Sequence, residues 1–209
     1  MKRALAYILG ALSAPRQTFT LIVFDAQGLS LSFFCLVAAA LTWALAVLGW
    51  AAAGYQPWAS PWLAIPISEY YFWQALFAIP VLLAAWVLTA GFVQLASQRS
   101  GGGGSFEATA KLLALSIAVS RLVLLIPACL VALFALAGAV DASAWLNAFR
   151  GGNLAPAIVW LLILAEAAWM TLLTSITVRA AHKLRLRPSI RVAVPAVLLF
   201  YAFIYIFLR

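Results

Sequence analysis

Long, nearly continuous apolar runs separated by short polar breaks dominate this chain. Five runs reach the roughly 20 residues that a helix needs to cross a bilayer. They are Leu31 to Ala53, Tyr70 to Ala96, a run inside Ala110 to Val140 (residues 112–140), Pro156 to Val178, and Val192 to Leu208. Transmembrane strands would instead alternate apolar and polar residues over about ten positions. The pattern therefore predicts an all-α polytopic integral membrane protein, with five spans in one membrane domain covering residues 1–209. Ahead of the first span, residues 1–28 begin MKRALAYILGALSAPR. This stretch imitates a signal peptide, but Pro15 would sit just after the cut. We read it as an uncleaved interfacial helix on the cytoplasmic face.

Composition sharpens the class. The 209 residues are 67% apolar and only 9% charged, whereas soluble domains have about 45–50% apolar and about 25% charged residues. The net charge of +8 matters less than its placement. With the N-terminus inside, the inner segments hold Lys2, Arg3, Arg16, Arg99, Lys111, Arg179, Lys183, Arg185, Arg187 and Arg191, and the outer ones hold only Arg150 and Arg209. Ten against two is a positive-inside bias, and it predicts an N-in, C-out topology. The charge reads as an orientation signal and a contact with the lipid bilayer, not as a nucleic-acid footprint. A bacterial inner (plasma) membrane is the expected location.

The polar breaks carry their own information. RAAHKLRLRPSIR, Arg179 to Arg191, is the densest basic stretch. It is either a stop-transfer flank or a patch for anionic lipids or a partner, since clustered Lys and Arg gain about 1 kcal/mol each near such a surface. The outer loop YQPWASPWLAIPISEYYFW, Tyr55 to Trp73, holds Pro57, Pro61 and Pro66, which forbid a regular helix. Trp50, Trp58, Trp62 and Trp73 fit an aromatic belt at headgroup level, as an interfacial plug or a lid over an outward cavity. Pro80, Pro127 and Pro195 lie within spans, Pro195 close to the start of its helix. Gly49 and Ala53, one turn apart, favour close helix packing.

Two charges fall inside spans, where they are expensive and are functional candidates. Glu166 is near the middle of the fourth span and Arg121 lies in the third. Arg121 either snorkels to the inner headgroups or pairs with Glu166. Arg121 is ten residues beyond Lys111, and Glu166 thirteen before Arg179. At about 1.5 Å per residue their depths differ by only about 4–5 Å. A third reading gives Glu166 a proton or substrate role, with Ser116, Ser120, Thr171, Thr174, Ser175 and Thr177 nearby. Such hydroxyls more often bond to their own helix backbone.

Catalytic patterns are absent from the sequence: it has no HExxH, GxSxG or Walker A stretch. The acids Asp25, Glu69, Glu107 and Asp141 fall near membrane surfaces on different sides. His182, the single histidine, is expected at the interface. Cys35 and Cys129 are separated by very roughly 20 Å in depth, too far for a disulfide, whose Cα atoms lie within about 7 Å. Neither a metal site nor a cofactor is expected, and the class expected is non-enzymatic.

One break, QRSGGGGSFEATAK from Gln98 to Lys111, looks like a fusion linker. Yet Ser105 is placed to cap the third helix, and Glu107 suits its first turn, so we read a native turn. The surrounding string, YYFWQALFAIPVLLAAWVLTAGFVQLASQRSGGGGSFEATAKLLALS, resembles the middle of Yip-domain proteins, the Ypt/Rab-interacting membrane family and its bacterial relatives. The matching features are Pro80, the glycines Gly101 to Gly104, Ser105, Phe106, Thr109 and Pro127. APRQTF, with Pro15, Thr18 and Phe19, resembles that family's P-x-x-T-F element. The likeness is to short bacterial-type members, without the long N-terminal region of eukaryotic ones. It implies a membrane-organising or partner-binding role, as an accessory, assembly or scaffold subunit, with another membrane protein or a second copy as partner. The alternative is a small transporter or proton-coupled permease using Glu166 and Arg121.

Overall fold

The computed structural model describes residues 2–57, 65–150 and 154–208. Trp58, Pro61, Trp62 and Arg209, and the side chain of Arg150, lie outside the described residues. Eight α-helices and one short 3-10 turn make up the elements, with no strand among the described residues. They are α1 (Lys2–Ser13), α2 (Pro15–Phe24), α3 (Gly28–Ala52), α4 (Tyr70–Arg99), α5 (Phe106–Leu136), α6 (Ala142–Arg150), α7 (Leu154–His182) and α8 (Leu186–Leu208). α3, α4, α5, α7 and α8 are each long and apolar enough to cross a membrane.

Local chemistry sets several of the ends. Pro15 stands at the start of α2, where its missing N–H costs nothing. Asp25 accepts from the Gln27 N–H at 2.8 Å in the bend before α3, and Gly54, at φ +76°, takes the left-handed conformation just after α3. The Ser105 side chain accepts from the Ala108 N–H at 3.2 Å, so it does cap α5. Gly138 (φ +68°) follows that helix. The connection after α5 contains a further helix, α6, started by Asp141. Its carboxylate accepts from the N–H groups of Ser143 (2.9 Å) and Ala144 (3.0 Å).

Boundaries differ from the sequence expectation in a consistent way. α5 runs 106–136 instead of 112–140, and α8 begins at Leu186 instead of Val192. Hydropathy excludes charged residues from a span, but a helix does not end where lipid ends. Lys111 therefore lies within α5, while Arg187, Pro188 and Arg191 lie on the first turns of α8. Pro188 is tolerated there because the first-turn N–H groups have no helical partner. Pro195 is consequently interior to its helix, like Pro80 and Pro127. The single interfacial helix expected before the first span is instead two helices, α1 and α2.

The five long helices form a ring in the order α3, α4, α8, α7, α5, with α5 also packing across the ring onto α4. α1 and α2 pack on the ends of α5, α3 and α7. At 31 residues, α5 is about 46 Å long, well beyond a hydrocarbon core of about 30 Å. Every residue of it from Ala108 to Ser120 is buried. Beyond Arg121 only Leu125, Ala128, Ala132 and Ala135 are. Close approach uses small residues: a Cβ on Gly49 would lie 3.2 Å from the Ala132 Cβ. The end of the ring bearing the Gly-rich turn and the α7–α8 connection is called the basic end below, and the other the aromatic end.

Candidate functional site

Arg121 and Glu166 meet across the α5–α7 interface. Arg121 Nε is 3.3 Å from Glu166 Oε1, with the Glu166 side chain fully buried and that of Arg121 15% exposed. The guanidinium also sits over the rings of Phe200 (5.2 Å) and Tyr201 (5.9 Å) of α8. Arg121 therefore does not snorkel; the pair and the rings bind α5, α7 and α8 together. The contact is an ion pair of imperfect alignment: neither carboxylate oxygen of Glu166 receives a well-formed hydrogen bond, and the Tyr201 hydroxyl stands beside that carboxylate without ideal hydrogen-bond geometry. Tyr201 lies within electrostatic reach of Glu166 all the same.

A cavity of about 230 Å³ occupies the centre of the ring toward the aromatic end, bounded by all five long helices. Arg121, Ala39, Trp43 and Ala78 are among its walls. A second cavity, of about 290 Å³, lies toward α6, with Trp50, Tyr71 and Pro127 in its walls and Trp145 and Phe149 from α6. Trp43, Gln74 and Ile163 line both. Most lining side chains are apolar. α6 is steadied by the Tyr55 hydroxyl, which donates to the Val140 carbonyl at 3.0 Å.

The Gly-rich turn holds a polar network that the sequence did not disclose. The Gly104 N–H donates to His182 Nδ1 at 3.2 Å. That leaves Nε2 as the protonated nitrogen, 2.8 Å from Thr109 Oγ1. Thr109 donates to Gln94 Oε1 at 2.8 Å, and Gln94 Nε2 returns a bond to the Gly104 carbonyl at 2.8 Å. α4, the turn, α5 and α7 are thus joined through one buried imidazole. Expected at the interface, His182 is instead only 2% exposed. Burial follows from the glycines: a Cβ on Gly104 would overlap the Ala181 carbonyl, and one on Gly102 would come within 2.7 Å of His182 Cβ. Gly101 adopts φ +86°. The available signal was a polar residue, Gln94, inside an apolar run, with Thr109 and His182 at the same membrane level.

Other residues of the Yip-like pattern have separate places. Phe19 is fully buried in the cluster containing Leu112, Leu115 and Leu173, and Thr18 is buried beside it. Phe106 is half exposed. Lys111 is buried, and its ammonium donates to the Val23 (3.1 Å) and Asp25 (3.4 Å) carbonyls at the end of α2. There it suits the helix dipole, and it pairs with Glu107 at 3.5 Å. The Tyr7 hydroxyl hydrogen-bonds Asp25 Oδ2 and ties α1 to the α2–α3 bend. That bond lowers the Asp25 carboxyl below its ordinary range. Burial first, then Asp25, pushes the Tyr7 phenol up to about 12.

The basic residues cluster but do not pair. Lys183, Arg185, Arg187 and Arg191 are exposed and Arg179 is partly so, and no ion pair neutralises them among the described residues. Lys183 ends α7 in the left-handed region, at φ 58°. Cys35 and Cys129 are both free, and no group of three His, Cys, Asp or Glu able to hold a metal occurs among the described residues.

These features define a class: a five-span helical membrane protein with a buried interhelical ion pair, a mostly apolar central cavity and a basic end without counter-charge among the described residues. No protein-family model, curated protein or solved structure matches the chain.

Proposed function

We propose that this protein is a non-enzymatic organiser or partner-binding subunit of a membrane assembly, with its basic end on the cytoplasmic side. The observation that carries the reading is the basic end itself. Lys183, Arg185, Arg187 and Arg191 stand exposed without counter-charge. They are mounted on a connection whose neighbour, His182, is locked into the Gly104–Thr109–Gln94 network. A rigid, unneutralised cationic face suits anionic lipid headgroups, or acidic segments of a membrane partner, at about 1 kcal/mol per basic residue. The likeness to Yip-domain proteins at Pro80, Gly101, Gly104, Ser105, Phe106 and Pro127 points the same way. A bacterial inner membrane fits the distribution of Lys and Arg.

Transport through Glu166 is the weaker reading. A permease needs water or substrate at the carboxylate, whereas Glu166 is fully buried beside Arg121, and the nearby cavity is mostly apolar. The test is extraction of the native protein into nanodiscs, with the wild type compared with an Arg185→Gln/Arg187→Gln/Arg191→Gln variant. A stoichiometric membrane partner, lost in the variant, supports the proposal. A lone protein that dissipates an ion gradient in liposomes, and stops doing so as Glu166→Gln, overturns it.

A further inference from the structure

The two cavities have a chemistry of their own, separate from the basic end. At about 230 and 290 Å³ they lie just under the range of about 300–1,000 Å³ usual for small-molecule sites, which are mostly apolar with a few placed polar groups. Here most of the placed groups are donors, beside the amide of Gln74, which lines both cavities and can both donate and accept. The indole Nε1 atoms of Trp43 and Trp50 are buried without a hydrogen-bond partner. Trp43 lines both cavities, and Trp50 lines the outer one. An indole N–H has no second option, since it can only donate, and a buried donor left unpaired costs about 1–3 kcal/mol. Arg121 forms part of the inner cavity wall. Its contact with Glu166 runs through Nε, and its Nη nitrogens make no hydrogen bond among the described residues. The inner cavity therefore asks for an acceptor.

Charge decides which acceptor. The positive charge of Arg121 is already offset by Glu166, 3.3 Å away. A carboxylate or phosphate entering the cavity would bring a net negative charge next to a buried glutamate, in surroundings of low dielectric, and uncompensated buried charge is very costly. A neutral carbonyl oxygen meets the same donors without that cost. Aromatic and aliphatic walls accommodate the apolar remainder of the molecule, and the ring is closed below by the buried half of α5.

We propose that the central cavity is a binding site for an uncharged, carbonyl-bearing lipid, of the ester, ketone or quinone class, whose oxygen takes hydrogen bonds from Trp43 and Arg121. The site does not depend on the partner-binding role proposed above, and its test uses no partner.

The full-length protein in nanodiscs is titrated with three probes of equal chain length. They are a dibrominated fatty-acid methyl ester, the corresponding acid at neutral pH, and a dibrominated alkane, and the readout is quenching of tryptophan fluorescence. The expected result is a saturable component with the ester that is at least about tenfold weaker with the acid and absent with the alkane. Trp43→Phe should remove most of that component. Ala39→Leu should remove it too, by filling the inner cavity, with Trp43 still present as reporter. Thermal melting of each variant guards against misfolding. Should Ala39→Leu not fold, Ala78→Val serves for the same wall. Equal quenching by ester and alkane would mean simple partition into the bilayer and would sink the site. Acid binding as tight as ester binding would overturn the neutral-acceptor assignment. Unchanged saturable quenching in a folded filled-cavity variant would place the ligand elsewhere and end the proposal.

Discussion

The two halves of the helical ring are built from the same helices and differ in almost everything else. At the basic end α5 is enclosed on all sides from Ala108 to Ser120. The buried residues of α7 begin only at Glu166 and continue through Thr174 to Val178. Toward the aromatic end α5 is mostly open, the first three turns of α7 have no buried residue, and the cavities occupy the middle. Polar contacts between helices mark the closed half. Ser116 and Thr177 bond at 2.9 Å, and Trp86 Nε1 donates to the Ala110 carbonyl of α5 at 2.9 Å. Bulky rings such as Trp43, Trp50 and Tyr71, packed edge to face, fill and prop the open half. Arg121 and Glu166 sit at the boundary. The comparison teaches that in a membrane, where apolar side chains gain little by leaving lipid, close packing and polar contacts decide where helices meet.

The boundary is the place to break first. Arg121→Leu strands a buried carboxylate and should cost about 3–5 kcal/mol, and adding Glu166→Leu should recover much of that loss. Equilibrium unfolding in mixed micelles measures both, and a double variant no more stable than the single would remove the pair as the clamp between halves. Next comes the closed half. Gly104→Ala overlaps the Ala181 carbonyl and should cost about 1–3 kcal/mol. Gly91→Ala, with nothing beyond its own helix within 4 Å of the new Cβ, should be neutral or stabilising by up to about 1 kcal/mol. Similar melting temperatures for the two would contradict the tight seat of the turn. His182→Ala leaves the Gly104 N–H without its acceptor and should also cost about 1–3 kcal/mol. In the open half, Leu161→Ala, at a position 67% exposed, should stay within about 0.5 kcal/mol of wild type. An equal loss at both sites would erase the contrast.

The smallest expected effect is electrostatic and lies outside the ring. Asp25 has a lowered carboxyl pKa because Tyr7 donates to it. A lowered folded-state value adds stability above the unfolded value, about 3.9, and that stability is lost as pH falls through the folded one. Tyr7, raised to about 12, contributes below its ordinary value, about 10, and loses that contribution as pH rises through about 12. Tyr7→Phe should therefore flatten the pH dependence of melting at the acid limb and leave the ring helices unaffected. An unchanged acid limb would show that the α1 tether carries no such linkage.

Hydropathy alone determined that this is a five-span helical membrane protein, because transfer into lipid is summed residue by residue along a continuous run. Ser105 as a cap and Glu166 and Arg121 as the buried charges were equally legible, since each depends on neighbours within a few residues or on depth. Tertiary structure decided the rest. Whether Arg121 reached headgroups or Glu166 depended on how α5 and α7 are rotated about their axes. The burial of His182 depended on two glycines about 80 residues away letting backbone touch backbone. The start of α8 depended on charged first turns that hydropathy counts against a span. The central cavity depended on aromatic side chains from helices far apart in sequence holding a ring open. Rotation, tilt and separation are set by which side chains interlock across the ring, and that information is shared among segments that no local pattern connects.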